Sequence, residues 1–260
     1  MVHELRLFFV ALQFLTRVPI PRWVGFEPDW LNHCARHFPL VGLCVGAATA
    51  AVLWAASLLF PPAVAVGLSI MGSVLLTGGF HEDGLADTAD ALGGAVGRER
   101  ALEIMKDSRI GSYGALALIL MLGLKAAVLS AMLPALAIPA LLLAHTASRA
   151  APVVLIRVLR YAGDLAHAKA KPLAQRVSRS GVVVAIGWVV CVSAALVMAV
   201  PARAPGIASG LVLLALGTLW SARWLHRRLG GYTGDALGAT QQVTELLVLL
   251  GWLAASQWPG

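Results

Sequence analysis

Residues 77–114 read TGGFHEDGLADTADALGGAVGRERALEIMKDSRIGSYG, a polar interruption in an otherwise apolar chain. The 260 residues include only 13 Asp and Glu, and seven of these lie between Glu82 and Asp107. Gly78 and Gly79 in front and Gly93 and Gly94 behind delimit a short helix. On it Asp83, Asp87 and Asp90 stand at i, i+4 and i+7, within about 60° of one direction. Three carboxylates on one face repel each other unless something neutralises them. Magnesium does so, taking one or two carboxylates and completing its shell with water and substrate phosphate oxygens. The plainer reading is a solvated acidic face. Against it stand the spacing and the absence of any Lys or Arg between 81 and 97. Glu82 falls off the stripe, and either supports it from behind or is simply exposed.

Working outward, 59% of residues are hydrophobic, 13% are charged, and the mean hydropathy is +0.80. Soluble domains carry roughly 25% charged residues. The composition therefore points to an all-α fold, a polytopic transmembrane helix bundle forming a single domain over 1–260. A spanning helix needs about 20 mostly apolar residues. The candidates are 39–60, 62–80, 114–133, 134–158, 181–200, 205–222 and 243–258, which makes about seven spans. Sixteen Lys and Arg fall within 1–38, 81–113, 159–180 (Lys169 and Lys171 among them) and 223–242, against Arg203 alone on the other side. That positive-inside bias puts the N-terminus and every polar loop in the cytoplasm. The expectation is a bacterial inner-membrane protein with its active site at the cytoplasmic face. Net charge is +7. The excess is spread over several loops with no basic run interleaved with aromatics, so orientation in the bilayer explains it and nucleic acid is not a partner. Cys34, Cys44 and Cys191 show no metal or disulfide spacing and read as small buried apolar residues. The apolar run from Leu5 to Leu15 leads into Arg17 and Pro19 rather than a small-residue cleavage site. It reads as an interfacial helix.

Several other groups are candidates for chemistry. His81 precedes the aspartate stripe and is either a general base or an interfacial residue. Lys106 and Arg109 bracket Asp107 and Ser108, with Gly111 and Gly114 following at a helix start; cations beside exposed amides suit a diphosphate. Arg98, Glu99, Arg100 and Glu103 read as surface pairing. Among cations inside spans, Arg157 can snorkel, Arg149 either binds an anion or is paired, and Lys125 is compatible with both. The stretch 223–245, with Tyr232, Thr233, Asp235, Gln241, Gln242 and Glu245 among four glycines, reads as a cytoplasmic binding loop for a ligand rich in heteroatoms.

Taken together, LQFLTRVPIP (12–21), FPLVGLCVG (38–46), TGGFHEDGLADTADAL (77–92), MKDSRIGSYG (105–114) and GYTGDALGATQQVTE (231–245) resemble the cobalamin synthase family. These are the adenosylcobinamide-GDP ribazoletransferases of vitamin B12 assembly. The pieces fall in the family's order and cover the chain; Ala91 stands where glycine is usual. The resemblance implies a Mg2+-dependent reaction in which the ribose 3′-hydroxyl of α-ribazole, or of its 5′-phosphate, attacks the cobinamide-side phosphorus of adenosylcobinamide-GDP and GMP leaves. It implies Asp83, Asp87 and Asp90 as metal ligands, Lys106 and Arg109 around the phosphates with Ser108 between them, and an aspartate or His81 as base. Asp235 then meets the incoming ribazole or a second metal. A wide cytoplasmic cavity for the corrinoid is expected, and a homo-oligomer is left open. A CDP-alcohol phosphotransferase is the nearest rival, but it expects an arginine soon after the Asp-Gly pair, where this chain has Leu85, Ala86 and Asp87. An ion-coupled transporter would want charges at mid-membrane and broken helices in both halves.

Overall fold

Prolines start the helices and glycines stop them. In a computed structural model, which describes residues 2–163 and 176–256, the order is α1 (Val2–Leu15), α2 (Trp30–Cys34), α3 (Phe38–Ser57), α4 (Pro62–Thr77), α5 (Phe80–Leu92), α6 (Arg98–Ile104), α7 (Ser112–Ser130), α8 (Pro134–Ser148), α9 (Ala150–Val158), α10 (Arg179–Ala199), α11 (Ala204–Leu229) and α12 (Gly234–Ser256). Pro62 and Pro134 open α4 and α8, and Pro39 and Pro205 take the second position of α3 and α11. The first-turn amides have no partner within a helix, so a missing donor does no harm there. Pro152 acts differently: it cannot bond back to Ser148, and the helix is interrupted at Arg149, between α8 and α9. Among the described residues there is no strand, and a single β-bridge joins Tyr161 to Tyr232. Lys169 and Lys171, counted above for topology, lie outside the described residues.

Five runs are long and apolar enough to cross a bilayer: Trp30–Ser57, Ser112–Ser130, Pro134–Val158, Arg179–Ala199 and Pro201–Leu229. A sixth appears if α4 and α5 count together, although they meet at 89°. The expected seven is not reached by length and composition, for two reasons. Gly78 and Gly79 have φ of +74° and +72°, a region that L side chains avoid, so the chain leaves α4 nearly at right angles. The apolar stretch 243–258 does not pass on composition either, because it is the second half of a helix that begins at Gly234 and carries Asp235, Gln241, Gln242 and Glu245. The expected binding loop over 223–245 is accordingly helical except at 230–233. Thr233 caps α12, its Oγ1 accepting from the Ala236 amide at 3.2 Å, and Arg227 and Arg228 sit in the last turn of α11, where cations suit the helix dipole.

α8–α9 and α12 form the centre. In the Pro134–Val158 window 83% of residues are buried, against 22% in both Ser112–Ser130 and Arg179–Ala199, so α7 and α10 are outer helices. Cys44 and Cys191 also lie on exposed faces, while Cys34 is buried. Lipid offers helices no hydrophobic drive to associate, so close backbone contact and buried polar bonds must hold the bundle. α11 crosses α12 where a Cβ on Gly251 would fall 2.9 Å from the Gly210 Cα. α3 meets α8 where a Cβ on Gly42 would overlap the His145 carbonyl oxygen. At the N-terminus Glu4 pins α1 to the start of α3, pairing with Arg36 at 3.2 Å and His37 at 2.9 Å.

Gly251→Leu drives α11 and α12 apart. Overpacking of this kind costs about 1–3 kcal/mol, so the thermal midpoint of the detergent-solubilised protein should fall by several degrees. Leu120→Ala, on an outward face of α7, should leave it nearly in place. Equal midpoints for the two variants would contradict the packing described.

Candidate functional site

α5 lies against the start of α12 through small residues. A Cβ on Gly84 would come within 2.7 Å of the Asp235 carbonyl oxygen, so only glycine permits this approach. The inward face buries His81, Glu82, Leu85, Thr88 and Leu92; Asp83 is exposed, and Asp87 and Asp90 are half-buried. Asp83 and Asp87 line an open cavity of about 680 Å³, together with Ser108, Arg17, Thr16 and Phe80. Asp235, in the first turn of α12, lies against α5 where Gly84 meets its backbone.

Asp90 does not join its two neighbours. Its Oδ2 accepts from the Gly111 amide at 2.7 Å and its Oδ1 from the Gly114 amide at 2.8 Å. It thereby caps the N-terminus of α7 from another helix, satisfying donors that α7 cannot. It lines a second opening of about 450 Å³ with Asp107 and Arg109. Arg109 is exposed and pairs with Asp107, Nη2 to Oδ2 at 2.6 Å, a bond that raises its pKa further. Lys106, exposed on the same turn, lines neither opening. Arg100 pairs with Glu103 at 2.8 Å, whereas Arg98 reaches the Leu229 carbonyl at 2.7 Å. Among the described residues no group of three or more His, Cys, Asp or Glu is arranged to hold a metal ion. Asp83 and Asp87 at an open polar cavity still fit magnesium, which needs only one or two carboxylates beside substrate phosphates.

His81 and Arg149 lie elsewhere. Both are buried, at 4% and 2% exposure, and both line a separate cavity of about 80 Å³ with Phe14, Phe38 and Ile156. Arg149 belongs to a polar network inside the bundle whose hub is Glu245 of α12, 1% exposed. Lys125 of α7 donates to Glu245 Oε1. His145 Nδ1 and Arg149 Nη1 approach Oε2 at 3.0 and 3.8 Å. Gln241 donates to the same Oε2 at 2.6 Å and lies 3.0 Å from Ser148 Oγ. Gln242 links Gln241 Oε1 at 3.1 Å to Glu82 Oε1 at 3.0 Å. Three helices (α7, α8 and α12) and the α8–α9 junction thus share one buried carboxylate, and α5 joins them through Gln242.

The aspartate spacing located Asp83 and Asp87, and the motif around 105–114 located Ser108. Sequence reasoning gave no site role to Arg17 or Thr16, which enter the cavity from the end of α1. It also gave no link between Lys125 and Glu245, 120 positions apart.

The fold and site define an integral membrane protein with paired carboxylates in a solvent-open cavity. The family model described as cobalamin-5-phosphate synthase matches residues 7–253, and the chain belongs to that family. It is 56% identical to an adenosylcobinamide-GDP ribazoletransferase of Leptothrix cholodnii, covering 98% of this chain and 97% of that one. It is 43% identical to a protein of the same name from Polaromonas naphthalenivorans, with 96% and 98% covered. The figure is 46% for another from Shewanella amazonensis, with 95% of each covered. No solved structure matches the chain.

Removing one partner of a buried ion pair costs about 3–5 kcal/mol. Glu245→Leu strands Lys125 and Arg149 together, whereas Lys125→Met leaves Glu245 with Arg149, His145 and Gln241. Glu245→Leu should therefore lower the thermal midpoint in detergent more than Lys125→Met does. The reverse order would contradict Glu245 as the hub.

Proposed function

We propose that the chain is a magnesium-dependent adenosylcobinamide-GDP ribazoletransferase. It joins adenosylcobinamide-GDP to α-ribazole or its 5′-phosphate, releases GMP, and completes the cobalamin skeleton. The observation that carries the reading is the pairing of Asp83 and Asp87 in the 680 Å³ cavity, in a chain of the cobalamin-5-phosphate synthase family. Asp83 and Asp87 would hold the metal, which when bound supplies charge neutralisation for the diphosphate and the departing GMP. Phosphoryl transfer asks the protein mainly for positioning and charge. Ser108 offers a hydroxyl donor to phosphate oxygens at the cavity wall. Lys106 and Arg109, expected around the phosphates, line no part of this cavity, Arg109 facing the neighbouring opening with Asp107. Asp235, in the first turn of α12 where Gly84 lets α5 approach its backbone, is the carboxylate assigned to take the ribose hydroxyl proton. His81 and Arg149 act from behind α5 rather than on substrate, because both are buried outside the cavity. Asp90 serves by capping α7 and so holding the turn that carries Ser108.

The same elements support a cytoplasm-facing orientation. α12 has 23 residues, or roughly 35 Å at the helical rise, enough for a hydrocarbon core of about 30 Å. Its polar side chains face the bundle, so lipid never meets them. With α12 as a crossing and α4 as the descending arm before α5, seven crossings leave the N-terminus and the residues 77–114 together in the cytoplasm. That agrees with the positive-inside bias, and it opens the cavity to cytoplasmic substrates.

Purified protein in detergent, given adenosylcobinamide-GDP, α-ribazole and magnesium, should release GMP only when all three are present. Asp87→Asn should remain folded and lose at least 100-fold in rate. GMP without ribazole would make the protein a hydrolase, and near-normal turnover in Asp87→Asn would remove the metal role of this carboxylate.

A further inference from the structure

We propose that Arg17 is the phosphate-binding cation of the acidic cavity, an inference that rests on the reading of that cavity as a diphosphate site. Among the described residues, Arg17 is the one basic side chain in its wall beside Asp83, Asp87 and Ser108. The other candidates are committed elsewhere. Arg109 pairs with Asp107 on the Asp90 side, Arg149 is buried in the Glu245 network, and Lys106 lines neither opening.

The seat of Arg17 is built from three local features. α1 ends at Leu15, and Thr16 turns the chain: its Oγ1 donates to the Leu12 carbonyl at 2.7 Å and accepts from the Val18 amide at 3.2 Å. The Arg17 amide then donates to the Leu76 carbonyl at 2.8 Å, tying this turn to the last turn of α4. From there the side chain runs across Gly78, where a Cβ would fall 2.5 Å from Nε and 3.2 Å from Cζ. Gly78 also has the left-handed φ of +74° that re-aims the chain into α5. The same residue thus both turns the acidic helix and makes room for the guanidinium. Among the described residues Arg17 forms no ion pair, although carboxylates line the same cavity.

An unpaired guanidinium beside a metal-type carboxylate pair matches what a diphosphate needs. A metal held by Asp83 and Asp87 would neutralise part of its charge, and the planar fork of donors can take phosphate oxygens bidentately. A lysine supplies charge at that position without the fork, so Arg17→Lys should only partly replace it.

The test is calorimetric titration of GDP with magnesium into the full-length, detergent-solubilised protein. Arg17→Ala should weaken GDP binding at least tenfold, with Arg17→Lys between it and the wild type. The ligand-free melting temperature should stay unchanged, because the bond that Arg17 makes to α4 is through its backbone. Wild-type affinity in Arg17→Ala, or no GDP binding by the wild type, overturns the proposal. So does a loss of affinity that only follows a lower melting temperature. The transferase reading fails separately. Arg17-dependent GDP binding without GMP release from adenosylcobinamide-GDP and ribazole would support Arg17 and sink that reading. GMP release with an unchanged KM for adenosylcobinamide-GDP in Arg17→Ala would do the opposite.

Discussion

One carboxylate in the middle of the bundle constrains most of what surrounds it. A charged Glu245 away from water is tolerable only if cations and donors surround it, and the chain supplies Lys125 from α7, His145 and Arg149 from α8 and its C-terminus, and Gln241 from its own helix. Each partner must reach a common point, so the relative heights of α7, α8 and α12 are set together. Apolar packing alone would specify this less sharply, because lipid and side chain are equally apolar.

The network also orients the helix that carries the acidic residues. Gln242 extends it to Glu82, turning that side of α5 inward. At about 100° per residue, Asp83 and Asp87 then point roughly 100–140° away from Glu82, into the open cavity whose wall Glu82 also reaches. Interior polarity and cavity chemistry are thus two faces of one short helix, held against α12 by Gly84. Asp90 completes the arrangement by fastening the start of α7 to the end of α5. That places Ser108 in the cavity wall while Arg109 faces the neighbouring opening.

The parts of this legible in the sequence are those written in short spacings. Prolines marked the helix starts, Gly78 and Gly79 marked the end of α4, and the i, i+4, i+7 aspartates marked a helix. The same spacing could not separate Asp90 from Asp83 and Asp87, because a carboxylate that caps a distant helix occupies the same stripe as one that faces a cavity. The polar half of α12 looked like a loop because glycines, glutamines and threonines at a bundle centre have the composition of an exposed segment; only their burial distinguishes them. The Lys125–Glu245 pair and the seat of Arg17 against Gly78 depend on contacts between distant segments, and no local pattern announces them.

The most direct test of the account is electron paramagnetic resonance of Mn2+, standing in for magnesium, titrated into the detergent-solubilised protein with GDP present. The account predicts protein-bound Mn2+ that is lost in Asp83→Asn and Asp87→Asn but retained in Asp90→Asn, whose defect would be in stability. Mn2+ binding that survives in both Asp83→Asn and Asp87→Asn, or that depends on Asp90 instead, would contradict it.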